Sequence, residues 1–270
     1  MRTGVDTKMV HLSEISSIVV QSTQANITAY LMSELAKQKI PLVVADTKGN
    51  PIAQSLPIYG AHNVSKRIEE QLAWTEPSKK RVWQRVVQDK ITHQADVLEA
   101  RAREGGAALL RQLPQEVRSG DPTNREAHAA RVYFKELFGD DFSRDDETPV
   151  NAALNYGYAI IMSAVNREIV SRGYLTQIGI FHRNEYNHFN LGCDFMEPFR
   201  PLVDKLVFDN VEDGFTQDVK RLLVDMLNMQ VAYRGGMYRL SSVISLYVAD
   251  CLSALGRRLS VDEIEPFGVV

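Results

Sequence analysis

The chain contains few cysteines, no long hydrophobic run and no large excess of charge of one sign. Only two cysteines, Cys193 and Cys251, occur in 270 residues. This number argues against a disulfide framework and a cysteine-based zinc site, and it is typical of a reducing compartment. The longest strongly apolar helical stretch, Tyr158 to Val165, is much shorter than the about 20 residues that span a bilayer. Since no apolar signal segment opens the chain, we expect a soluble cytoplasmic protein.

Charge and motif content exclude or weaken several other function classes. The 31 basic and 34 acidic residues leave a formal net charge of −3, so a polyanion would have to be held by a local basic face. The sequence shows neither a glycine-rich phosphate loop nor a Ser-His-Asp signature. The hydrophobic content of 44% and the charged content of 24% are ordinary for a globular protein. A chain of this length can form one large domain and a smaller one.

Residues 1–65 differ in pattern from the rest of the chain. They contain short β-branched or aliphatic runs between turn signals such as residues 47–50. Between the second and third runs, apolar residues recur at helical spacing from Thr23 to Lys37. These patterns predict a small sheet with one helix on it. The predicted strands are Met9 to Leu12, Ser17 to Gln21, Pro41 to Ala45 and Pro51 to Leu56.

Helical periodicity dominates from about residue 66 onward. The segment from Asn151 to Tyr174 is apolar on nearly all sides, which predicts a helix at the centre of a bundle. A polar loop is predicted over residues 139–147, and a hairpin or tight turn over residues 233–238. The other predicted helices cover residues 78–98, 105–119, a segment after the turn at residues 121–124, 216–231 and 241–255. We therefore expect an α+β fold, with a small N-terminal β-rich domain (residues 1–65) and a larger all-α domain (residues 66–270).

The predicted helix over residues 78–98 carries an apolar stripe and a basic opposite side. The basic residues are Lys79, Lys80, Arg81, Arg85 and Lys90. A charged face of this kind is either simply solvated or available for phosphate contact, and nearby acidic residues interrupt it. Both interpretations stay open.

Possible cation ligands are concentrated between residues 179 and 204. His182, His188, Asp194 and Glu197 lie within sixteen residues. If a helix begins near Asp194, the carboxylates of Asp194 and Glu197 lie on one face and could share a cation. The same Asp-x-x-Glu pattern is equally typical of a capping box, in which the two side chains only satisfy backbone amides.

Two further residues also allow more than one interpretation. His182 follows the apolar run Ile178 to Phe181, which predicts a short buried strand or a helix end, so the ring is either a satisfied core histidine or a ligand. Glu126 lies near the start of the helix after residues 121–124, where it is either a surface residue favoured by the helix dipole or a ligand. One imidazole and two nearby carboxylates would leave a hard divalent cation short of ligands, so a third carboxylate is worth seeking.

Three motifs together resemble one known family. They are residues 121–143 (DPTNREAHAARVYFKELFGDDFS), 151–158 (NAALNYGY) and 179–204 (GIFHRNEYNHFNLGCDFMEPFRPLVD). They resemble the CRISPR-associated integrase that inserts new spacers, the catalytic subunit of the adaptation complex, in its type II form. The resemblance runs from about Lys8 to Glu263 and includes residues 11–15 and 59–60. Members of the family usually carry a further strand pair before the position of Lys8, so we expect a shortened N-terminal domain.

The resemblance implies a metal site and a reaction. Glu126, His182 and Glu197 match the residues that hold a divalent metal and act in catalysis, and Asp194 is a further acidic neighbour that we also expect to bind metal. His188 falls outside the pattern. The implied cofactor is Mg²⁺ or Mn²⁺. The implied reaction is direct transesterification, in which the 3′-hydroxyl of a spacer duplex attacks a phosphodiester of repeat DNA.

The resemblance also implies partners. These are double-stranded DNA, a second copy of the chain in a homodimer, and the small adaptation partner protein Cas2. We expect phosphate contacts, and a steep dependence on salt, from a basic set: Lys79, Lys80, Arg81, Arg85, Arg111 and Arg125. Two alternatives remain, a stand-alone metal-dependent DNA nuclease and a non-catalytic DNA-binding scaffold subunit.

Overall fold

The fold is taken from a computed structural model of the chain. It describes residues 9–15, 17–22, 24–45, 51–55, 57–58, 63–212 and 214–269. The predicted turn at residues 47–50 and the segment at residues 59–60 lie outside the described residues.

A three-stranded sheet with one helix forms the N-terminal part. Strands β1 (Ile18–Val20) and β2 (Leu42–Ala45) pair in parallel, and β3 (Pro51–Ser55) pairs antiparallel with β2, so β2 is central. Helix α1 (Ala29–Lys37) makes the crossover that a parallel pair requires. Three of the four predicted strands and the helix are therefore confirmed.

The predicted first strand, Met9 to Leu12, is wrong. Residues 9–11 have no regular structure, and a 3₁₀ turn follows at Leu12–Glu14. The His11 side chain accepts the backbone N–H of Ser13 and caps this turn. Met9 is 94% exposed, and no strand of the described residues pairs with this apolar run.

The described residues contain ten α-helices, and a β-hairpin lies between the last two of them. The helices after α1 are α2 (Val64–Leu72), α3 (Glu76–Ala100), α4 (Glu104–Glu116), α5 (Arg125–Phe138), α6 (Pro149–Ser171), α7 (Asn190–Met196), α8 (Arg200–Asn210), α9 (Gln217–Asp225) and α10 (Leu240–Leu255). The predicted helix over residues 216–231 is too long, because α9 ends at Asp225 and a 3₁₀ turn leads into β4 (Gln230–Tyr233). Strand β4 pairs with β5 (Gly236–Arg239). The turn residues Arg234 and Gly235 have φ of 49° and 73°, the left-handed pair that a tight two-residue hairpin requires.

Helices α3 and α6 form the centre of the helical part. Helix α6 packs against α7, α8, α9 and α10, and α3 packs against α4, α5, α8 and α10. Both begin with a threonine cap, in which Thr75 and Thr148 accept backbone N–H groups of the first turn, and each has a proline in that turn. The prediction of a central apolar helix over residues 151–174 is confirmed.

The small sheet contacts the helical part through polar side chains. The amide of Gln54 on β3 donates to the hydroxyl and carbonyl oxygens of Ser163 on α6, at 3.1 and 3.3 Å. The amide of Gln21, just after β1, donates to the hydroxyl of Tyr156. An α+β fold with a small β-rich part before a helical part is confirmed, and a domain boundary at residue 65 stays a prediction. Within the described residues, no helix is both long and apolar enough to cross a membrane.

Candidate metal centre

Two carboxylates from distant parts of the chain converge on one lysine. The ammonium of Lys90, on α3, lies 2.5 Å from Oε1 of Glu126, in the first turn of α5, and 2.5 Å from Oε2 of Glu197, between α7 and α8. The two carboxylate oxygens are therefore at most 5.0 Å apart, since each lies 2.5 Å from the same nitrogen. Residues 71 positions apart in the sequence thus share one small site.

The turn before α5 fixes the position of Glu126. Asp121 is buried, and its two carboxylate oxygens accept the backbone N–H groups of Arg125 and Glu126 at 2.9 and 3.0 Å. This capping satisfies donors that the first helical turn leaves unpaired. The predicted turn and helix start at residues 121–124 are confirmed, and the cap orients the backbone that carries Glu126.

Glu197 is buried and surrounded by positive charge. Its side chain is 6% exposed, and Nε of Arg200 donates to its Oε1 at 2.9 Å. Burial raises the pKa of Glu197, but the charges of Arg200 and Lys90 outweigh burial and hold the pKa at about 2. Burial likewise lowers the pKa of Lys90, and the carboxylates of Glu197 and Glu126 raise it above its ordinary value. Glu197 and Lys90 are therefore both charged at neutral pH.

Asp194 anchors the segment that carries His182. Its carboxylate is fully buried, and it accepts the backbone N–H groups of Ile180, Phe181 and His182 at 2.6, 3.2 and 3.0 Å. Nδ1 of His182 lies 2.7 Å from the same carboxylate. A side chain at Gly179 would place Cβ 2.4 Å from the carbonyl oxygen of His182, so this close approach requires glycine.

Two local predictions around Asp194 are wrong. Ile178 to Phe181 is neither a strand nor a helix end, because the Asp194 carboxylate, rather than a neighbouring strand, satisfies the backbone donors. The capping box is absent, because α7 begins at Asn190 and Asp194 lies inside it. Its acceptance of four donors favours a positioning role for Asp194, and its predicted role as a metal ligand stays untested.

The imidazole of His182 lies within electrostatic range of Glu197. The hydrogen bond with Asp194 raises the pKa of His182, burial lowers it, and Glu197 lies near enough to raise it further. Nε2 has no hydrogen bond to any residue that the structure describes, while the ring edges of Trp83 and Phe181 flank the imidazole at 5.8 and 5.7 Å. An imidazole held by a carboxylate through Nδ1 is typical of metal-binding histidines, because the bond fixes the ring and the tautomer.

The donor chemistry of the site fits a divalent cation. Two carboxylates already stabilise a positive charge between them, and oxygen and imidazole ligands suit Mg²⁺ or Mn²⁺. In the described part of the chain, however, no three His, Cys, Asp or Glu side chains are grouped closely enough to hold an ion as they stand. The ammonium of Lys90 lies where an ion shared by Glu126 and Glu197 would be bound.

A cavity of about 270 Å³ opens beside Lys90. Its wall includes Glu126, Glu197, Arg200 and, on the far side, Tyr158 and Asp204. The hydroxyl of Tyr158 donates to Asp204, and the guanidinium of Arg200 stacks over the Tyr158 ring at 4.5 Å. Burial raises the pKa of Asp204 to about 6.

The helical pattern predicts that Lys90 lies on an outward basic face, either solvated or in contact with phosphate, and it gives no role to Arg200. Lys90 is 7% exposed, because α3 is surrounded on several sides. The sequence does contain an indication that Lys90 is buried, because it lies one turn after Val86 and next to Ile91, both members of the apolar stripe. A charged residue on an apolar helix face usually has a buried partner.

Most of the predicted DNA-binding residues form ion pairs. The pairs are Lys79 with Glu76 (3.2 Å), Arg81 with Asp262 (4.0 Å), Arg85 with Asp89 (3.0 Å), Arg111 with Asp96 (2.6 Å) and Arg125 with Glu116 (3.0 Å). The Arg85 side chain is 21% exposed, so it faces inward rather than outward. Lys80 is exposed, and its aliphatic stem packs on Gly120. DNA contact by these six residues stays a prediction.

His188 is exposed on the loop before α7. Its backbone carbonyl accepts the hydroxyl of Thr176 at 2.8 Å. This backbone contact ties the loop to the segment that follows α6, and the imidazole contacts only the ring of Phe189 among the described residues.

The fold and the site define an α+β protein with a candidate metal centre in its helical part. The chain matches the family described as CRISPR associated protein Cas1 over residues 2–221. It is 38% identical over 266 residues to the CRISPR-associated endonuclease Cas1 of Neisseria meningitidis serogroup C (strain 8013), which covers 95% of this chain and 88% of that protein. The chain belongs to the Cas1 family, and the resemblance inferred from its motifs is confirmed.

Solved structures share the fold. A casposase bound to integration product superposes with a TM-score of 0.74 at 19% identity, covering 92% of this chain and 81% of the casposase chain. A Cas6-RT-Cas1–Cas2 complex gives a TM-score of 0.71 at 19% identity, covering 92% of this chain and 32% of that longer chain. At these identities the likeness establishes the fold alone.

Proposed function

We propose that this protein is a metal-dependent DNA integrase and endonuclease of CRISPR adaptation. The observation that carries the proposal is the convergence of Glu126 and Glu197 on the ammonium of Lys90, with the imidazole that Asp194 anchors within electrostatic range of Glu197. Similarity to a Cas1 endonuclease and the fold shared with a casposase support the same class of chemistry.

In this proposal, Glu126, His182 through Nε2, and Glu197 hold Mg²⁺ or Mn²⁺. A bound divalent cation supplies Lewis-acid stabilisation of the charge that develops on a phosphate and favours ionisation of an attacking hydroxyl. Asp194 positions the imidazole by fixing both the ring and the backbone that carries it. Arg200 keeps Glu197 ionised by its positive charge.

The proposed reaction is a direct transesterification. The 3′-hydroxyl oxygen of a spacer duplex forms a bond to phosphorus in repeat DNA, and the bond from that phosphorus to the 3′-oxygen of the repeat strand breaks. The proton lost by the attacking hydroxyl balances the one gained by the leaving 3′-oxygen. When water replaces the hydroxyl, the same site hydrolyses the strand.

We propose double-stranded DNA, a second copy of the chain and a Cas2-type protein as partners. Support comes from the solved structures that share the fold, which include a casposase bound to integration product and a Cas6-RT-Cas1–Cas2 complex. We propose a prokaryotic cytoplasmic location, because membership of the Cas1 family points to a prokaryote, whose DNA lies in the cytoplasm. Phosphate contacts are proposed for the basic set defined above, with Lys80, Arg81 and Arg111 as its exposed members.

A strand-joining assay tests this function. A fluorescent duplex, a supercoiled repeat plasmid and Mn²⁺ are incubated with the protein, with and without a Cas2-type partner. We expect joined product that is lost in His182→Ala and retained in His188→Ala, a matched control in the same loop whose ring is exposed. Vigorous cleavage without joining would indicate a stand-alone nuclease, and DNA binding without turnover would indicate a scaffold subunit.

A further inference from the structure

Lys90 occupies the centre of the site that the proposed function assigns to a metal. Its ammonium contacts both Glu126 and Glu197 at 2.5 Å and is almost completely buried. An ammonium held between two carboxylates forms charge-assisted hydrogen bonds, which are stronger than those between neutral groups. The chain thus supplies its own cation at this position.

A positive charge between these carboxylates is required in the metal-free protein. Glu197 is buried, and its oxygen lies within 5.0 Å of the Glu126 oxygen, because both contact the same nitrogen. Two ionised carboxylates at that separation and in a desolvated place repel each other strongly. Arg200 contacts the other oxygen of Glu197, so Lys90 is the group that bridges the pair.

The ammonium and a divalent cation cannot share this position. A metal bound by both carboxylates would lie about 2.1 Å from their oxygens, in the space that Nζ fills. Two cations held that close together also repel each other.

The structure offers the ammonium a second position. The cavity of about 270 Å³ beside Lys90 has the Asp204 carboxylate in its wall, and Lys90 already interacts electrostatically with Asp204. A lysine side chain has four rotatable carbon–carbon bonds and a compact charge. It can therefore turn into this cavity without movement of α3.

We propose that Lys90 is a displaceable internal cation, which holds Glu126 and Glu197 together in the metal-free protein and moves into the neighbouring cavity when a divalent cation binds. Lys90 competes with the metal and so sets the metal affinity of the site. This inference rests on the proposed metal site and adds a residue of the chain that regulates how tightly the site binds metal.

Metal titration of Lys90→Met tests the inference, because methionine keeps much of the length of the lysine side chain and removes its charge. Lys205→Met is the matched control, since Lys205 is a partly buried lysine of α8 that pairs with Asp209 at 3.5 Å. Free Mn²⁺ is measured by electron paramagnetic resonance, and the melting temperature is measured with and without Mn²⁺. We expect Lys90→Met to bind Mn²⁺ at least tenfold more tightly than the wild type and Lys205→Met, with a larger Mn²⁺-induced rise in melting temperature.

Acylation of the wild-type protein gives a second readout that does not depend on the folding of a variant. Lysines are modified with an amine-reactive ester with and without Mn²⁺, and each site is quantified by mass spectrometry. We expect Mn²⁺ to increase the modification of Lys90 at least threefold and to leave that of Lys205 unchanged.

The outcomes separate this inference from the proposed function. If His182→Ala binds Mn²⁺ as tightly as the wild type, the proposed metal site is refuted, and the role of Lys90 with it. If His182→Ala binds weakly but Lys90→Met binds no more tightly than the wild type, the role of Lys90 alone is refuted. Unchanged modification of Lys90 in saturating Mn²⁺ also overturns it.

Discussion

Replacement of Asp194 by asparagine tests how the candidate histidine is held. In the wild type, Oδ2 accepts the N–H groups of Ile180 and Phe181, and Oδ1 accepts the N–H of His182 and contacts its Nδ1. An asparagine offers one oxygen and one NH₂ group in place of the two carboxylate oxygens. In either orientation of the amide, the NH₂ group points at two groups that donated to the carboxylate, so both hydrogen bonds are lost. Each lost hydrogen bond to a buried charged group costs about 1.5–3 kcal/mol. Because two such bonds are lost, we expect the free energy of unfolding to fall by about 3–6 kcal/mol.

The same change should lower the pKa of His182. The hydrogen bond with Asp194 is the largest cause of its raised pKa, so Asp194→Asn should bring the pKa below the wild-type value. Urea unfolding measures the stability, and NMR titration of the imidazole measures the pKa. Asp218→Asn, in which an 89% exposed carboxylate is changed, is the control and should alter neither quantity. A stability loss below about 0.5 kcal/mol with an unchanged pKa would refute the anchoring role of Asp194.

Three further changes have expected outcomes. Lys90→Met should lower the free energy of unfolding of the metal-free protein by about 3–5 kcal/mol in urea, because it leaves buried carboxylates uncompensated, and a neutral effect would contradict the bridge. Gly179→Ala should cost about 1–3 kcal/mol, since its Cβ would lie 2.4 Å from a backbone oxygen, and it should impair strand joining. If it retains full stability and activity, the close approach is not needed. Burial raises the pKa of Asp89 from 3.8 to about 6. Between these two pH values the folded protein holds a proton on Asp89 that the unfolded chain has lost. The free energy of unfolding should therefore fall as pH rises from 4 to 6, by up to about 1.4 kcal/mol per pH unit. Asp89→Asn should flatten this slope in urea unfolding at pH 4, 5 and 6. An unchanged slope would show that the raised pKa of Asp89 is not its cause.

Local periodicity was sufficient to predict most of the helical part. The apolar pattern from Asn151 to Tyr174 led to α6, and the turn residues before Arg125 led to the start of α5, because both depend on short-range interactions. The length of α9 was overestimated, because strand pairing at Gln230 overrides the helical spacing. Hydrogen bonding to a remote segment decides such boundaries.

The candidate site could be predicted only in part from the sequence. The family resemblance singled out Glu126, His182 and Glu197, and the fold brings the first and third of these to one lysine. Local spacing could not reveal that Asp194 is an anchor, because its backbone partners lie 12 to 14 residues earlier in an irregular segment. The role of Lys90 was hidden for a related reason, since both of its partners lie on other elements of the fold.

Crystals soaked in MnCl₂ and measured at the manganese absorption edge test the central claim most directly. The account predicts one strong anomalous peak about 2.1–2.2 Å from oxygens of Glu126 and Glu197 and from Nε2 of His182, with the Lys90 side chain turned away. Saturating Mn²⁺ that gives no peak there, while the Lys90 ammonium still bridges both carboxylates, would contradict the claim.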